Sequence, residues 1–253
     1  MENEISSTQE IQKQSATPAM EPPVAPASAS QGLNKNMLVI ALAIIVAGGL
    51  IGAGLMFSGG REAKGPSPED AQPVIKSDHI RGDLKAPVQI IEFSDTECPY
   101  CKVFHKTMNR IFAEYGESGR VVWAYRHFPL TNIHPKAPKE AEATECAAEL
   151  GGNVKFWEYL DRLFEVTPSN NGLDAVELPA ISKYVGLDVA LFNTCLASGK
   201  YKEKVNNMAD EAISAGAEGT PYSIVISRDG DRYPISGALP YETVKQIIEK
   251  ALE

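Results

Sequence analysis

Two cysteines, Cys98 and Cys101, sit where one kind of backbone gives way to another. Upstream, Val88-Gln89-Ile90-Ile91-Glu92-Phe93-Ser94 is apolar and rich in β-branched residues, and reads as a buried strand. Downstream, apolar residues fall at Val103, Phe104, Met108, Ile111, Phe112 and Tyr115, one face of a helix that Gly116 stops. The motif Cys98-Pro99-Tyr100-Cys101 therefore lies at a helix N-terminus. Unpaired N–H groups and the positive end of the helix dipole meet there, and both favour an anion. The thiolate is the reactive form of cysteine, so this position suits thiol–disulfide exchange. Cys98, nearer the helix start, is expected to be an exposed nucleophile with a lowered pKa. Cys101, one turn inside, is expected to be the resolving thiol. Pro99 fits the first helical turn, where a missing N–H costs nothing.

The flanking pattern extends this into a fold. Arg120–Arg126 reads as a second strand, so the motif lies in a βαβ unit with parallel strands. Residues 138–215 read as helical, with segments at 138–150, 153–165, 175–185, 188–197 and 200–215 and a break at Gly151-Gly152. Strand character returns at Tyr222–Ile226, followed by a turn at Arg228-Asp229-Gly230-Asp231, an answering strand at Arg232–Ile235 and a last helix over 240–252. The class is α/β: a small mixed sheet flanked by helices, with a helical insertion over about 135–215.

Residues 37–57, Met37 to Phe57, carry no charged or strongly polar side chain and are long enough to cross a bilayer. A polar leader, 1–36, precedes them, and the apolar stretch exceeds the core of a signal peptide, so it reads as an uncleaved transmembrane anchor. The leader is rich in Ser, Thr, Gln, Pro and Ala and reads as disordered. Residues 58–76, with Gly59, Gly60, Gly65, Pro66, Pro68 and Pro73, read as a linker before a globular domain at 77–253. Lys35 against Arg61 and Lys64 leans weakly against an exported C-terminus, yet disulfide chemistry needs an oxidising space. The expected location is the cytoplasmic membrane, with a single pass and the C-terminal domain extracytoplasmic.

Taken together, these features resemble the thioredoxin superfamily, and within it the DsbA-like branch. The carriers are the Cys-Pro-x-Cys turn, Gly219-Thr220-Pro221 immediately before the Tyr222 strand, and the helical insertion. The resemblance implies a thioredoxin fold with an inserted helical subdomain, preceded here by one transmembrane helix. It implies a cis-proline at Pro221 facing the cysteines, and a substrate-binding surface of Pro99, Tyr100, Thr220 and Pro221. It implies a buried acid, Glu92, that exchanges a proton with Cys101; the alternative is a strand-end carboxylate reaching solvent. It implies a structural disulfide between Cys146 and Cys195, against the alternative of two buried free thiols. Tyr100 departs from the histidine frequent in DsbA-like oxidases.

The activity so implied is that of a protein thiol–disulfide oxidoreductase that introduces disulfides into exported proteins. It needs no cofactor. Its partners would be cysteine-containing exported polypeptides and a membrane redox protein that resets the Cys98–Cys101 disulfide. A reductase or isomerase of the same fold, and a tethered binding or chaperone module, are the rival readings. A net charge of −9 without a basic cluster argues against nucleic acid. His105 and His127 have no partner at metal-ligand spacing, so no metal site is expected. Asp95 and Glu97 are expected to be solvated.

Overall fold

The computed structural model describes residues 65–253. The leader at 1–36, the span at 37–57 and the first part of the linker lie outside the described residues. Among the described residues, no helix is long and apolar enough to cross a membrane.

Five strands form one mixed sheet: β1 (His79–Arg81), β2 (Val88–Ser94), β3 (Val121–His127), β4 (Tyr222–Ile226) and β5 (Arg232–Ser236), in the order β1-β3-β2-β4-β5. β2 and β3 run parallel, and every other pairing is antiparallel. The crossover between β2 and β3 is helix α1 (Pro99–Ile111), which widens into a π turn at Phe112–Gly116. A Cβ on Gly116 would stand 2.0 Å from the Phe112 ring, so a side chain there would have to displace that ring.

The β2 sequence is apolar because both of its faces are covered. Val88 and Ile90 face α1 and helix α6 (Tyr241–Leu252), joined by Phe104, Met108, Val244 and Ile248. Ile91 and Phe93 face the opposite side, against Ala212 of helix α5 (Lys202–Ser214). The insertion builds its own core from helices α2 (Ala137–Val166), α3 (Glu177–Tyr184) and α4 (Val189–Ser198), around Tyr159, Leu163, Phe192 and the Cys146–Cys195 disulfide. The expected break in α2 is present: Gly151 and Gly152 leave helical geometry, and Gly152 takes φ 70°, which a side chain resists. Directly after it, the Asn153 carboxamide accepts from Ile80 N–H at 3.0 Å and donates to Ile80 C=O at 2.7 Å, capping the outer edge of β1.

The linker expected over 58–76 ends earlier than its composition suggests. Residues 67–76 are a strap on the sheet, not a spacer. Ala71 and Val74 are buried with Ile91 and Phe93, Ser67 N–H donates to Ser214 C=O, and Arg232 binds the carbonyls of Pro68 and Ala71. Arg126, on β3, completes the attachment. It is 3% exposed, paired with Asp78 at 2.7 Å and Glu211 at 2.6 Å, and also donates to the carbonyls of Gln72 and Pro73.

Candidate active site

The motif occupies the join between β2 and α1. Cys98 is the extended cap residue of α1, Pro99 opens the helix, and Lys102 N–H makes a helical bond to Cys98 C=O at 3.1 Å. Both cysteines are free thiols. Their environments differ. The hydrogen bond from the Cys101 thiol, with the N–H groups of Cys101 and Tyr100, outweighs burial and holds the Cys98 thiol down to about 6. Burial, then the neighbouring Cys98 thiolate, pushes Cys101 well above its ordinary value. One sulfur is thus the stable thiolate and the other the proton holder.

Cys98 is not exposed as expected: only 4% of its surface is open. The Thr220–Pro221 bond is cis, and the Cys98 thiol lies 3.5 Å from Thr220 C=O. Thr220 and Pro221 also line a cleft with Gly219, Tyr222 and Pro66. Tyr100, by contrast, is 67% exposed beside the sulfur.

Glu92 lies one strand-width from β3 and β4, opposite Tyr125 and Ser223. It is fully buried and does not reach solvent. Its Oε2 accepts from Trp123 Nε1 at 3.0 Å. Burial pushes its carboxyl up to about 7, with the Trp123 hydrogen bond offsetting only part of that. Cys146 and Cys195 are bridged, with Cα atoms 5.8 Å apart, across α2 and α4.

Asp95 and Glu97, expected in solvent, are 1% and 0% exposed. Asp95 is a hub. Its Oδ2 accepts from Leu130 N–H at 2.7 Å and sits 2.9 Å from His134 Nδ1, its Oδ1 accepts from Glu97 N–H, and its own N–H points at Cys101 Sγ at 3.4 Å. It ties the motif to the loop after β3. The other buried charges also escape sequence reasoning. Glu145 binds His79 at 2.9 Å, His127 at 3.2 Å and Lys204 at 2.6 Å; burial would raise its carboxyl, but the bonds from His127 and His79 hold it well below the carboxylate range. His105 pairs with Asp161 at 2.7 Å. Among the described residues, no three His, Cys, Asp or Glu side chains are grouped to hold a metal ion.

A thioredoxin family model matches residues 75–250. The chain belongs to the thioredoxin family. Its sheet, with the helical insertion, follows the DsbA-like form of that fold. DsbA2 of Pseudomonas aeruginosa superposes with a TM-score of 0.59 at 26% identity, over 71% of this thioredoxin-family chain and 97% of that structure. Oxidised BdbD of Bacillus subtilis superposes with a TM-score of 0.63 at 23% identity, over 74% and 98%. Among curated sequences, the Na(+)/H(+) antiporter NhaA 3 of Salinispora tropica is 36% identical over 151 residues, 60% of this chain. The chain spans 22% of that antiporter's length.

Proposed function

We propose that this thioredoxin-family domain is a protein thiol–disulfide oxidoreductase that oxidises cysteine pairs in exported polypeptides. The observation that carries this reading is the inequality of the two thiols, with Cys98 held near 6 and Cys101 pushed far above. In the disulfide form, a substrate thiolate attacks Cys98 Sγ, and the Cys98–Cys101 bond breaks toward Cys101, which takes up a proton. A second substrate thiolate then attacks the substrate sulfur of the mixed disulfide and expels Cys98 as a thiolate. The substrate loses two electrons and gains a disulfide, and the enzyme becomes the dithiol. Glu92, poised near neutrality, is the proton partner of Cys101. Tyr100, Pro99, Thr220 and Pro221 form the surface that meets the substrate, and Thr220 C=O is placed to pair with an extended chain.

A membrane protein carrying an electron acceptor would return the dithiol to the disulfide. Residues 37–57 serve as a single-pass anchor that holds the domain on the extracytoplasmic face, with residues 1–36 as a leader. Similarity to the DsbA2 structure supports thiol–disulfide exchange at this motif. The reductase reading draws on one observation: a Cys98 pKa of about 6 lies closer to thioredoxin's, about 7, than to DsbA's, about 3.5.

Equilibration of the full chain with glutathione decides between them. A potential near about −120 mV, with oxidation of a reduced substrate that Cys98→Ser abolishes, supports the oxidase; a value near about −270 mV assigns the reductase. Protease access to a C-terminal tag in intact cells tests the location, and a protected tag would overturn it.

A further inference from the structure

A cleft of about 520 Å³ opens beside the nucleophile, and its two walls come from the two ends of the domain's sequence. One wall is the cis turn Gly219-Thr220-Pro221 with the end of β5, joined where Pro221 C=O accepts from Gly237 N–H at 2.9 Å. The other is the head of the strap, Pro66 and Pro68. Ser67 N–H donates to Ser214 C=O at 2.9 Å, and Arg232 holds Pro68 C=O at 3.0 Å, so this stretch is fastened to the domain. Pro66 lies against the Gly216 turn, where a Cβ would stand 3.9 Å from the Pro66 carbonyl. Residues whose composition reads as spacer thus complete a cleft.

The chemistry of the lining is one-sided. Four of its residues are prolines, Pro66, Pro68, Pro221 and Pro234, which carry carbonyl acceptors and no N–H. The Tyr222 hydroxyl already donates to Ala215 C=O at 3.0 Å, and Gly237 N–H is taken by Pro221. Glu218 is the one charged side chain of the lining; it is exposed and has no hydrogen bond or ion pair among the described residues. Carbonyls and an unpaired carboxylate attract donors and positive charge, and repel an acidic side chain. The cleft also adjoins the chemistry. Thr220 lines it, and Thr220 C=O is 3.5 Å from Cys98 Sγ, so a polypeptide joined to Cys98 through its cysteine lays the adjoining residues along it.

We propose that the strap and the cis turn together form a docking cleft for an extended, basic segment of the substrate, with Glu218 receiving a lysine or arginine that neighbours the attacked cysteine. The inference rests on Cys98 being the exchange nucleophile, and names the polypeptides that this nucleophile meets most readily. An extended segment suits the cleft because its unpaired N–H groups find carbonyls there. Pro66 and Glu218 set specificity and take no part in the exchange of sulfur bonds.

The test is oxidation of reduced dithiol peptides by the full chain, with glutathione disulfide resetting the enzyme. Three peptides differ only in the residues flanking the cysteine: lysine, glutamine or glutamate. KM should rise in that order by up to about fivefold per step, the range of an exposed ion pair, while kcat is common to all three. The order should fade in about 0.5 M salt, which screens exposed charges. Glu218→Gln should remove the advantage of lysine. Pro66→Lys, at an exposed position, should reverse the order by placing a cation in the strap wall. Equal KM values for the three peptides, or an order that Glu218→Gln leaves intact, overturns the selection of basic segments. An order that Pro66→Lys leaves intact overturns the strap as a wall. A KM that climbs with enzyme concentration places a second copy of the chain in the cleft and overturns the substrate assignment. Exchange with none of the peptides, with Cys98 unreactive to iodoacetamide, overturns the exchange reading itself and this inference with it.

Discussion

Trp123 Nε1 donates to Glu92 Oε2 at 3.0 Å, setting a neutral donor against a carboxyl sealed beneath α1. The carboxyl is held at about 7 against an ordinary 4.5. An acid whose folded pKa is raised contributes its stability fully below the unfolded value and loses it as pH rises through the folded one. Stability linked to Glu92 is therefore complete near pH 4 and lost between about 4.5 and 7. Glu92→Gln should match the natural protein in urea unfolding at pH 4 and exceed it by on the order of 3 kcal/mol at pH 8. Parallel pH dependence in the two proteins would refute this.

The Cys98 thiolate should be visible directly. In the reduced protein, absorbance at 240 nm should rise with a midpoint near pH 6, and Cys98→Ser should abolish that step. Cys101 should contribute nothing until far higher pH. Because the folded pKa is depressed, the stability linked to this thiol is present above its unfolded value and disappears as pH falls through 6. A single step above pH 8 would count against the assigned inequality.

Much of this arrangement is legible in the chain because it is written locally. The strand, the helix face and the Gly151-Gly152 break follow from spacing within ten or fifteen residues; the structure has the strand and the break, and the helix face without Val103, which is 57% exposed. Asp95 and Glu97 were misplaced for the opposite reason. Their partners, His134, Asn171 and Leu173, lie 39 to 76 residues away, and no periodicity announces a buried carboxylate that long-range donors will satisfy. Prolines and glycines made residues 58–76 look like spacer throughout, yet Ala71 and Val74 fill a sheet face that α5 leaves uncovered.

Arg126 should be the residue on which that strap depends. Arg126→Met leaves Asp78 and Glu211 without their buried cation, and removal of one partner from such a group costs about 3–5 kcal/mol. Denaturant unfolding should show the loss, and trypsin should cut at Lys76 sooner than in the natural protein. Unchanged cleavage would mean that the apolar contacts alone hold the strap.

Cys146 and Cys195 should matter to stability and not to exchange. Their bridge closes a separation of 49 residues, worth about 3–4 kcal/mol by loop-closure entropy. Replacing both by alanine should lower the unfolding midpoint accordingly while leaving alkylation of Cys98 unchanged. A matching drop in Cys98 reactivity would tie the bridge to the site.

The Asn153 carboxamide on Ile80 has a consequence beyond β1. It occupies the donor and acceptor that an edge strand would otherwise offer to another chain. At the far side of the sheet, Pro234 removes a donor from β5, and Arg232 ties that strand to the strap. Both margins of the sheet are therefore closed to intermolecular ladder formation. A molecule so finished can stand among unfolded, strand-prone polypeptides without becoming a seed for their aggregation.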